Sequence, residues 1–185
     1  MRGMRASIGF LWGFAEATLF FIVPDVWLGW VAIFARRSAW AVLAATLAGA
    51  LLGGAVTYAV STATAPSTTA TILDGVPTVN REATDRVSRE MEEHGPRSVL
   101  FGSIRMGTPY KLYARAAGVQ DQSLAAFLLW SIPGRLERML PMLLIALAAG
   151  YFLRAWIAAN RRLAMGLYAA LWLAVYAVYV VRIGL

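Results

Sequence analysis

The stretch FGSIRMGTPYKLYARAAGV, from Phe101 to Val119, interrupts an otherwise apolar sequence with charges. It carries the cations Arg105, Lys111 and Arg115 together with Pro109 and three glycines. A charge at membrane depth is costly, so a lipid-facing helix would place large apolar residues here instead. This stretch therefore does not have the composition of a simple membrane span.

The composition around it predicts an integral membrane protein that forms one domain. Of the 185 residues, 59% are hydrophobic and only 15% are charged, with a mean hydropathy of +0.62. These values are more apolar than those of soluble domains. The formal charge of +7 would suit a protein that binds nucleic acid. The arginines nevertheless stand at the ends of apolar runs, which favours a role in membrane anchoring. We therefore expect no nucleic-acid partner.

Residue usage excludes several kinds of chemistry. The chain has no cysteine and one histidine, His94, so disulfides, thiolate catalysis and cysteine or histidine metal sites are excluded. We expect no metal, no cofactor and no enzymatic activity, because no general base or nucleophile is available at membrane depth. The N-terminus resembles a signal peptide, but Glu16 interrupts its apolar run and no cleavage site follows.

Five apolar stretches predict an all-α membrane domain. A membrane-spanning helix needs about 20 apolar residues. We predict transmembrane helices at 39–63, 123–156 and 163–181, and re-entrant hairpins at 7–35 and 98–119.

The charges that flank residues 7–35 predict that this stretch enters and leaves the membrane on the same side. Arg2 and Arg5 precede it, and Arg36 and Arg37 follow it. Cytoplasmic flanks collect lysine and arginine, so both ends are predicted to be cytoplasmic. Pro24 lies near the expected turn of this hairpin and breaks helical hydrogen bonding. A tilted, proline-kinked span remains the alternative.

Residues 64–97 are predicted to lie outside the membrane on the far side. The Ser/Thr-rich linker STATAPSTTAT (61–71) leads into them, and Pro77 precedes a helix predicted from about residue 79 to residue 94. Apolar residues recur there every fourth position, at Val79, Ala83, Val87 and Met91. This spacing indicates a solvated or surface-lying amphipathic helix.

The second half of the chain repeats the plan of the first in the opposite direction. A hairpin at 98–119 with Pro109 at its turn would enter from the far side, and 123–156 would return beside Arg154, Arg161 and Arg162. The predicted fold is therefore two oppositely inserted hairpins, each followed by a transmembrane helix, plus a C-terminal helix. Inverted repeats of this kind hold substrate near the membrane midplane.

The order and spacing of several motifs along the chain resemble those of the DedA family, also called the VTT or SNARE-associated group, and of its small YqaA-like branch. They are FGSIR (101–105), GTPYK (107–111), GFAE (13–16), PD (24–25), GALLGG (49–54) and SIPGRLER (131–138). The resemblance implies transfer of polyprenyl phosphate or phospholipid between leaflets, dependence on the proton gradient and location in the bacterial inner membrane. Lys111 stands where many members have arginine, and Lys111 lacks the planar fork of that side chain.

Ionisable residues in the two hairpins differ in sign. Glu16 and Asp25 lie in the first hairpin, and Arg105 and Lys111 lie in the second. Opposed hairpins would bring these residues together in a polar centre. The two cations would bind an anionic headgroup there, and the two carboxylates would bind and release protons.

Each of these residues also has a purely structural interpretation. Glu16 and Arg105 would form an ion pair that locks the hairpins together. Asp25 would cap the helix after Pro24. Lys111 would be an anchor at the membrane interface. Arg115 is predicted to mark the membrane edge.

Two further sets of residues are assigned from their spacing. Arg135 and Arg138 share one turn with Glu137 inside a long apolar stretch. They predict a substrate-binding role, with a local ion pair as the alternative. Gly49 and Gly53 match the small-xxx-small pattern, which predicts close helix packing.

The predicted function is a flippase or scramblase that moves an anionic phosphate-headgroup lipid between leaflets, with protons as the coupling ion. The alternatives are a proton-coupled transporter of small ions or drugs and a non-transporting assembly factor for membrane proteins. The partners expected are membrane lipids and protons, with a second copy of the chain as a homodimer partner.

Overall fold

A computed structural model describes residues 2–74, 79–104 and 108–183, and every regular element within these ranges is helical. The all-α prediction is therefore confirmed. The helices are α1 (Arg2–Thr18), α2 (Asp25–Phe34), α3 (Ala39–Ala63), α4 (Pro66–Asp74), α5 (Arg81–His94), α6 (Val99–Ile104), α7 (Tyr110–Val119), α8 (Leu124–Phe152), α9 (Arg154–Ala159) and α10 (Arg161–Ile183).

Among the described residues, two helical segments are long and apolar enough to cross a membrane, Arg36–Ala63 and Arg161–Val178. Helix α8 is longer than either, with 29 residues, which makes it about 44 Å long at 1.5 Å per residue. It continues through Pro133 and Pro141 without a break. The span predicted at 123–156 is thus one long helix, α8, followed by the short helix α9.

Helices α1 and α3 pack closely through glycines. A Cβ atom on Gly49 would lie 2.0 Å from the carbonyl oxygen of Phe10, and one on Gly13 would lie 2.2 Å from that of Thr46. Gly53 likewise lies against the backbone of α1. Gly49 meets Phe10, and one turn later Gly53 meets Phe14, so the contacts advance in the same direction along both helices and α1 and α3 run parallel. Only residues without a side chain allow such a close approach of two backbones.

Helix α2 runs back alongside α1 after a non-helical break that ends at Pro24. The indole Nε1 of Trp12 donates to the carbonyl of Ile22, 3.0 Å away. The indole Nε1 of Trp27 donates to the carbonyl of Arg5 at 3.1 Å. Later residues of α2 therefore meet earlier residues of α1, and the two helices form an antiparallel hairpin.

Helices α6 and α7 form a second, shorter hairpin with Pro109 immediately before α7. A Cβ on Gly102 would touch the ring of Tyr113 across this hairpin. Val99 at the start of α6 lies against Gly134 of α8. Helix α6 thus packs against the long helix that follows its own hairpin, as α1 packs against α3.

The returning helix of the first hairpin packs against the long helix of the second half of the chain. Gly29 of α2 lies against Met142 of α8, and Ile33 lies against Gly150. These contacts advance together, so α2 and α8 run parallel. Since α2 is antiparallel to α1 and α1 is parallel to α3, helices α3 and α8 are antiparallel.

The returning helix of the second hairpin packs in the same way against the first half. Tyr110 of α7 contacts Gly54 of α3, and Gly118 lies against the carbonyl of Tyr58. Helices α7 and α3 are therefore parallel. Each half of the chain thus places its returning helix on the long helix of the other half.

Helix α5 begins at Arg81, two residues after the predicted start. The side chain of Asn80 accepts a hydrogen bond from the backbone N–H of Ala83 at 2.8 Å, which caps the first turn. Ala83, Val87 and Met91 are buried in a cluster with residues of α7. The predicted apolar face of this helix is therefore a packing surface on α7.

Helix α4 was not expected, because its Ser/Thr-rich sequence is typical of a linker. It is held by Arg115 of α7, which donates to Thr69 Oγ1 at 3.2 Å and to the carbonyl of Pro66 at 3.0 Å. Arg115 is only 8% exposed, and its predicted position at the membrane edge stays a prediction. Pro77 lies outside the described residues.

Replacing Asn80 by alanine removes the cap of α5. We expect a loss of about 1 kcal/mol in the free energy of unfolding, the usual cost of deleting an N-cap side chain. Unfolding of the detergent-solubilised chain followed by circular dichroism measures it. Asn160→Ala is the matched control, since the exposed Asn160 side chain donates to the carbonyl of Trp156. Equal losses in both variants would contradict the capping role.

Candidate functional site

The two hairpins touch where their helices are interrupted. Lys111, in the first turn of α7, is 1% exposed. Its Nζ donates to the carbonyl oxygen of Phe20, 2.8 Å away in the break between α1 and α2. That carbonyl has left the helical hydrogen-bonding pattern and needs a donor. The lysine therefore joins the first break to the beginning of α7.

A buried ion pair lies next to this contact. Both terminal nitrogens of Arg135 on α8 face the carboxylate of Glu16 on α1, with Nη1 3.3 Å from Oε1 and Nη2 hydrogen-bonded to Oε2. The guanidinium also lies over the ring of Tyr110, 4.8 Å from the centroid. The hydroxyl of Tyr110 donates to Ser131 Oγ at 2.9 Å. Glu16 and Arg135 thus connect α1 to α8 beside α7.

A second ion pair is partly open. Arg138 Nε lies 3.1 Å from Asp25 Oδ2; the arginine side chain is 41% exposed, whereas that of the aspartate is 7% exposed. Within the described part of the chain, Asp25 Oδ1 has no hydrogen-bond partner. This pair therefore keeps a free acceptor oxygen and an accessible guanidinium.

A cavity of about 140 Å³ lies between the two breaks and α10. Glu16, Lys111 and Arg138 supply its charged side chains. Four aromatic residues also line it, Phe20, Phe21, Trp172 and Tyr176. The cavity therefore combines charged with apolar lining.

Helix α10 closes this cavity through a row of aromatic residues. The N–H of Val23 donates to the hydroxyl of Tyr176 at 2.8 Å, and the hydroxyl of Tyr168 donates to the carbonyl of Val26 at 2.7 Å. Tyr168, Trp172 and Tyr176 are four residues apart, so they share one face of the helix. This wall was not predicted, although the four-residue spacing of its aromatic residues is visible in the sequence.

The positive and negative charges of the described ionisable groups around the cavity are unequal in number. Two of them are carboxylates and three are cations: Glu16, Asp25, Lys111, Arg135 and Arg138. The two arginines pair with the carboxylates, whereas the lysine donates to a carbonyl. The surplus positive charge favours binding of an anion.

The structure places most of the predicted site residues together, but with different partners. Among the described residues the partner of Glu16 is Arg135, and the pair considered between Glu16 and Arg105 stays a prediction. Arg105 itself lies outside the described residues. Asp25 does not cap its own helix, since Pro24 occupies the N-cap position without a side-chain hydrogen bond.

The turn of α8 that holds both arginines does not form the local ion pair considered from the sequence. Arg135 and Arg138 bind carboxylates of the first hairpin, while Glu137 is exposed. Lys111 is buried and its Nζ donates to the carbonyl of Phe20, while its alternative role as an interface anchor stays a prediction. No group of three His, Cys, Asp or Glu side chains suited to a metal occurs within 2–74, 79–104 and 108–183.

The comparisons with known proteins supply no relative. A scan against protein-family models gave no match, and neither a search of curated proteins nor one of solved structures found a similar chain. The function is therefore inferred from the residues and geometry of this site.

Proposed function

We propose that the chain is an integral protein of the bacterial inner membrane. Its helices expose large apolar side chains: Leu129, Ile145, Phe152 and Leu173 are 67%, 68%, 79% and 72% exposed, respectively. Soluble proteins rarely expose extended apolar surface of this kind. Lipid around α8 and α10 would cover these side chains.

The two halves, α1–α3 and α6–α8, form an inverted repeat of re-entrant hairpins in this proposal. The helix packing supports it, because α2 of the first half packs on α8, α7 of the second half packs on α3, and α3 and α8 are antiparallel. Non-helical backbone at membrane depth is tolerated where it is buried in protein or lines a cavity. In the first break, Lys111 and Trp12 donate to the freed carbonyls of Phe20 and Ile22.

The proposed activity is movement of a lipid with an anionic phosphate headgroup between leaflets, as in the DedA family. The surplus cation of the cavity is the observation that carries this proposal. Lys111 and the accessible side of Arg138 would bind the phosphate, since a charged donor to a phosphate makes a strong hydrogen bond. The lipid chain would leave along Phe21 and Val175, which line the apolar side.

Protons enter this mechanism at Asp25. Protonation of Asp25 would remove the negative charge that holds Arg138 and would release the guanidinium toward the phosphate. Loss of the proton would restore the ion pair and release the lipid. Glu16 would stay paired with Arg135 throughout and keep the two halves together.

A small cation is the less favourable substrate. Both carboxylates of the site already pair with arginines, and the remaining charge is positive. A cation would therefore have to displace a guanidinium and enter beside Lys111. The geometry supports an anionic substrate over a proton-coupled carrier of cations.

Neutralising the phosphate-binding cations is expected to reduce lipid transport. Lys111→Gln and Arg138→Gln each remove one charged hydrogen bond to the phosphate, which contributes about 1.5–3 kcal/mol. If that bond is present in the rate-limiting state, its loss lowers the transport rate about tenfold or more. Proteoliposomes with fluorescent polyprenyl phosphate or phosphatidylglycerol measure the transfer. Lys111→Arg should retain part of the activity.

Arg97→Gln is the control variant, because Arg97 is an exposed cation whose Nε donates to the carbonyl of His94. It should transport like the unmodified chain. Transfer no faster than in protein-free vesicles would overturn the proposal and would favour a non-transporting assembly factor. Transport that is unchanged by collapse of an imposed pH gradient would remove the proton step but leave lipid movement intact.

A further inference from the structure

One end of the molecule carries only positive charges. Every charged residue in segments 2–15, 35–38 and 153–162 is an arginine. These segments meet where α1 and α3 begin and where α2 and α8 end, as the hydrogen bond from Arg5 to Ser38 and the contact of Gly150 with Ile33 show. The positive-inside rule accounts for the sign of this end, but not for how its arginines are arranged.

Two of these arginines converge on one aromatic ring. The guanidinium carbons of Arg36 and Arg154 lie 5.7 and 4.7 Å from the ring centroid of Tyr151. Like charges repel, and neither guanidinium has a carboxylate partner among the described residues. The ring compensates part of each charge. The planar donor groups of both arginines remain available to a phosphate.

An apolar groove of about 250 Å³ begins beside this pair of arginines. It runs between α2, α8, α9 and α10. Phe34, two residues before Arg36, and Leu153, directly before Arg154, line it. Trp156, Leu167 and Leu171 line it further along. Within the described part of the chain, no charged side chain lines this groove. Its walls suit a hydrocarbon chain.

We propose that this end binds one anionic phospholipid, with its phosphate on Arg36 and Arg154 and one acyl chain in the groove. Basic pockets between membrane helices favour anionic headgroups. The site lies apart from the cavity that contains Lys111 and Arg138. The proposal rests on the membrane placement of the chain and is independent of lipid transport. A lipid bound here bridges α2 to α9 and α10, and so holds α10 in place as the wall of the cavity.

The test measures how phospholipids change the thermal unfolding midpoint of the full chain in a neutral detergent. Phosphatidylglycerol should raise the midpoint, and phosphatidylcholine with the same acyl chains should not. In R36Q/R154Q the apparent affinity for phosphatidylglycerol should fall at least tenfold. In R2Q/R162Q, which loses the same charge from exposed positions at the same end, it should fall less than twofold.

A second pair of variants tests the groove without changing any charge. L167W fills the groove and should weaken the phosphatidylglycerol effect at least fivefold. L173W places the same side chain at an exposed position of α10 and should leave it unchanged. This pair decides the question even where R36Q/R154Q does not fold.

Three results would overturn the lipid site. Equal losses in R36Q/R154Q and R2Q/R162Q would show that net charge alone attracts the lipid. An equal stabilisation by inorganic phosphate would show that no acyl chain is bound. Equal effects of L167W and L173W would exclude the groove. Failure of lipid transport in proteoliposomes would leave all of these measurements unaffected, so the two proposals can fail separately.

Discussion

Replacing Gly49 by valine is expected to prevent α1 from packing against α3. A Cβ at this position would lie 2.0 Å from the carbonyl oxygen of Phe10 and 2.8 Å from its carbonyl carbon. Both are backbone atoms, so no side-chain rotamer relieves the clash, and the helices must separate. We expect a loss of more than about 4 kcal/mol in the free energy of unfolding, which is in the range of the most damaging substitutions. The yield of monodisperse protein and its unfolding midpoint in detergent measure this loss.

Gly166→Val is the matched control for this prediction. Gly166 lies in α10, and a Cβ there meets no atom within 4 Å. The same substitution should therefore leave the unfolding midpoint close to that of the unmodified chain. A Gly49→Val variant as stable as Gly166→Val would mean that α1 and α3 do not approach as closely as the structure shows.

The local elements of this fold could be predicted from the sequence because their signals are local. Runs of apolar residues predicted the helix that became α3. Four-residue spacing identified Ala83, Val87 and Met91 as one face of α5 before any partner for that face was known. Pro24 and Pro109 marked the interruptions, since proline removes a backbone donor and fixes its own backbone angle.

The partners of the buried charges could not be predicted in the same way. The sequence placed acids in one hairpin and bases in the other, which suggested direct pairing between the hairpins. The returning helix α2 instead packs along α8, and this contact brings Asp25 to Arg138. The pairing depends on which long helix each hairpin crosses, and residue spacing contains no such information.

Short polar segments gave a second failure. Hydroxyl-rich sequence in 61–71 is typical of a linker, yet α4 forms there because Arg115 of α7 hydrogen-bonds Thr69 and the carbonyl of Pro66. Tertiary contact thus overrides weak local helix propensity.

Glu16→Gln is expected to destabilise the chain more than Arg135→Gln, although both variants break the same ion pair. Of the five described ionisable groups at the site, removal of Glu16 leaves three cations with Asp25 as the single carboxylate. Removal of Arg135 leaves two cations and two carboxylates, and Glu16 keeps Lys111 and Arg138 as electrostatic neighbours. The asymmetry follows from the surplus positive charge of the cavity.

We expect Glu16→Gln to cost about 3–5 kcal/mol, the usual loss when a buried pair is broken and one charge stays unpaired. Arg135→Gln should cost about 1–3 kcal/mol, since it leaves buried hydrogen-bonding groups unsatisfied without an unbalanced charge. Unfolding midpoints of both variants in one detergent measure the difference. Arg162→Gln, at an exposed position, should change the midpoint little.

The double variant Glu16→Gln/Arg135→Gln distinguishes the contribution of the ion pair itself from the effect of the neighbouring charges. Two amides can still hydrogen-bond each other, so a pair that is only structural should recover most of the stability lost in Glu16→Gln. Lys111 and Arg138 would then face Asp25 as the single carboxylate, and we expect anionic-lipid binding at the cavity to persist or tighten. Equal losses in the two single variants would contradict the charge imbalance, and with it the argument that the cavity is built for an anion.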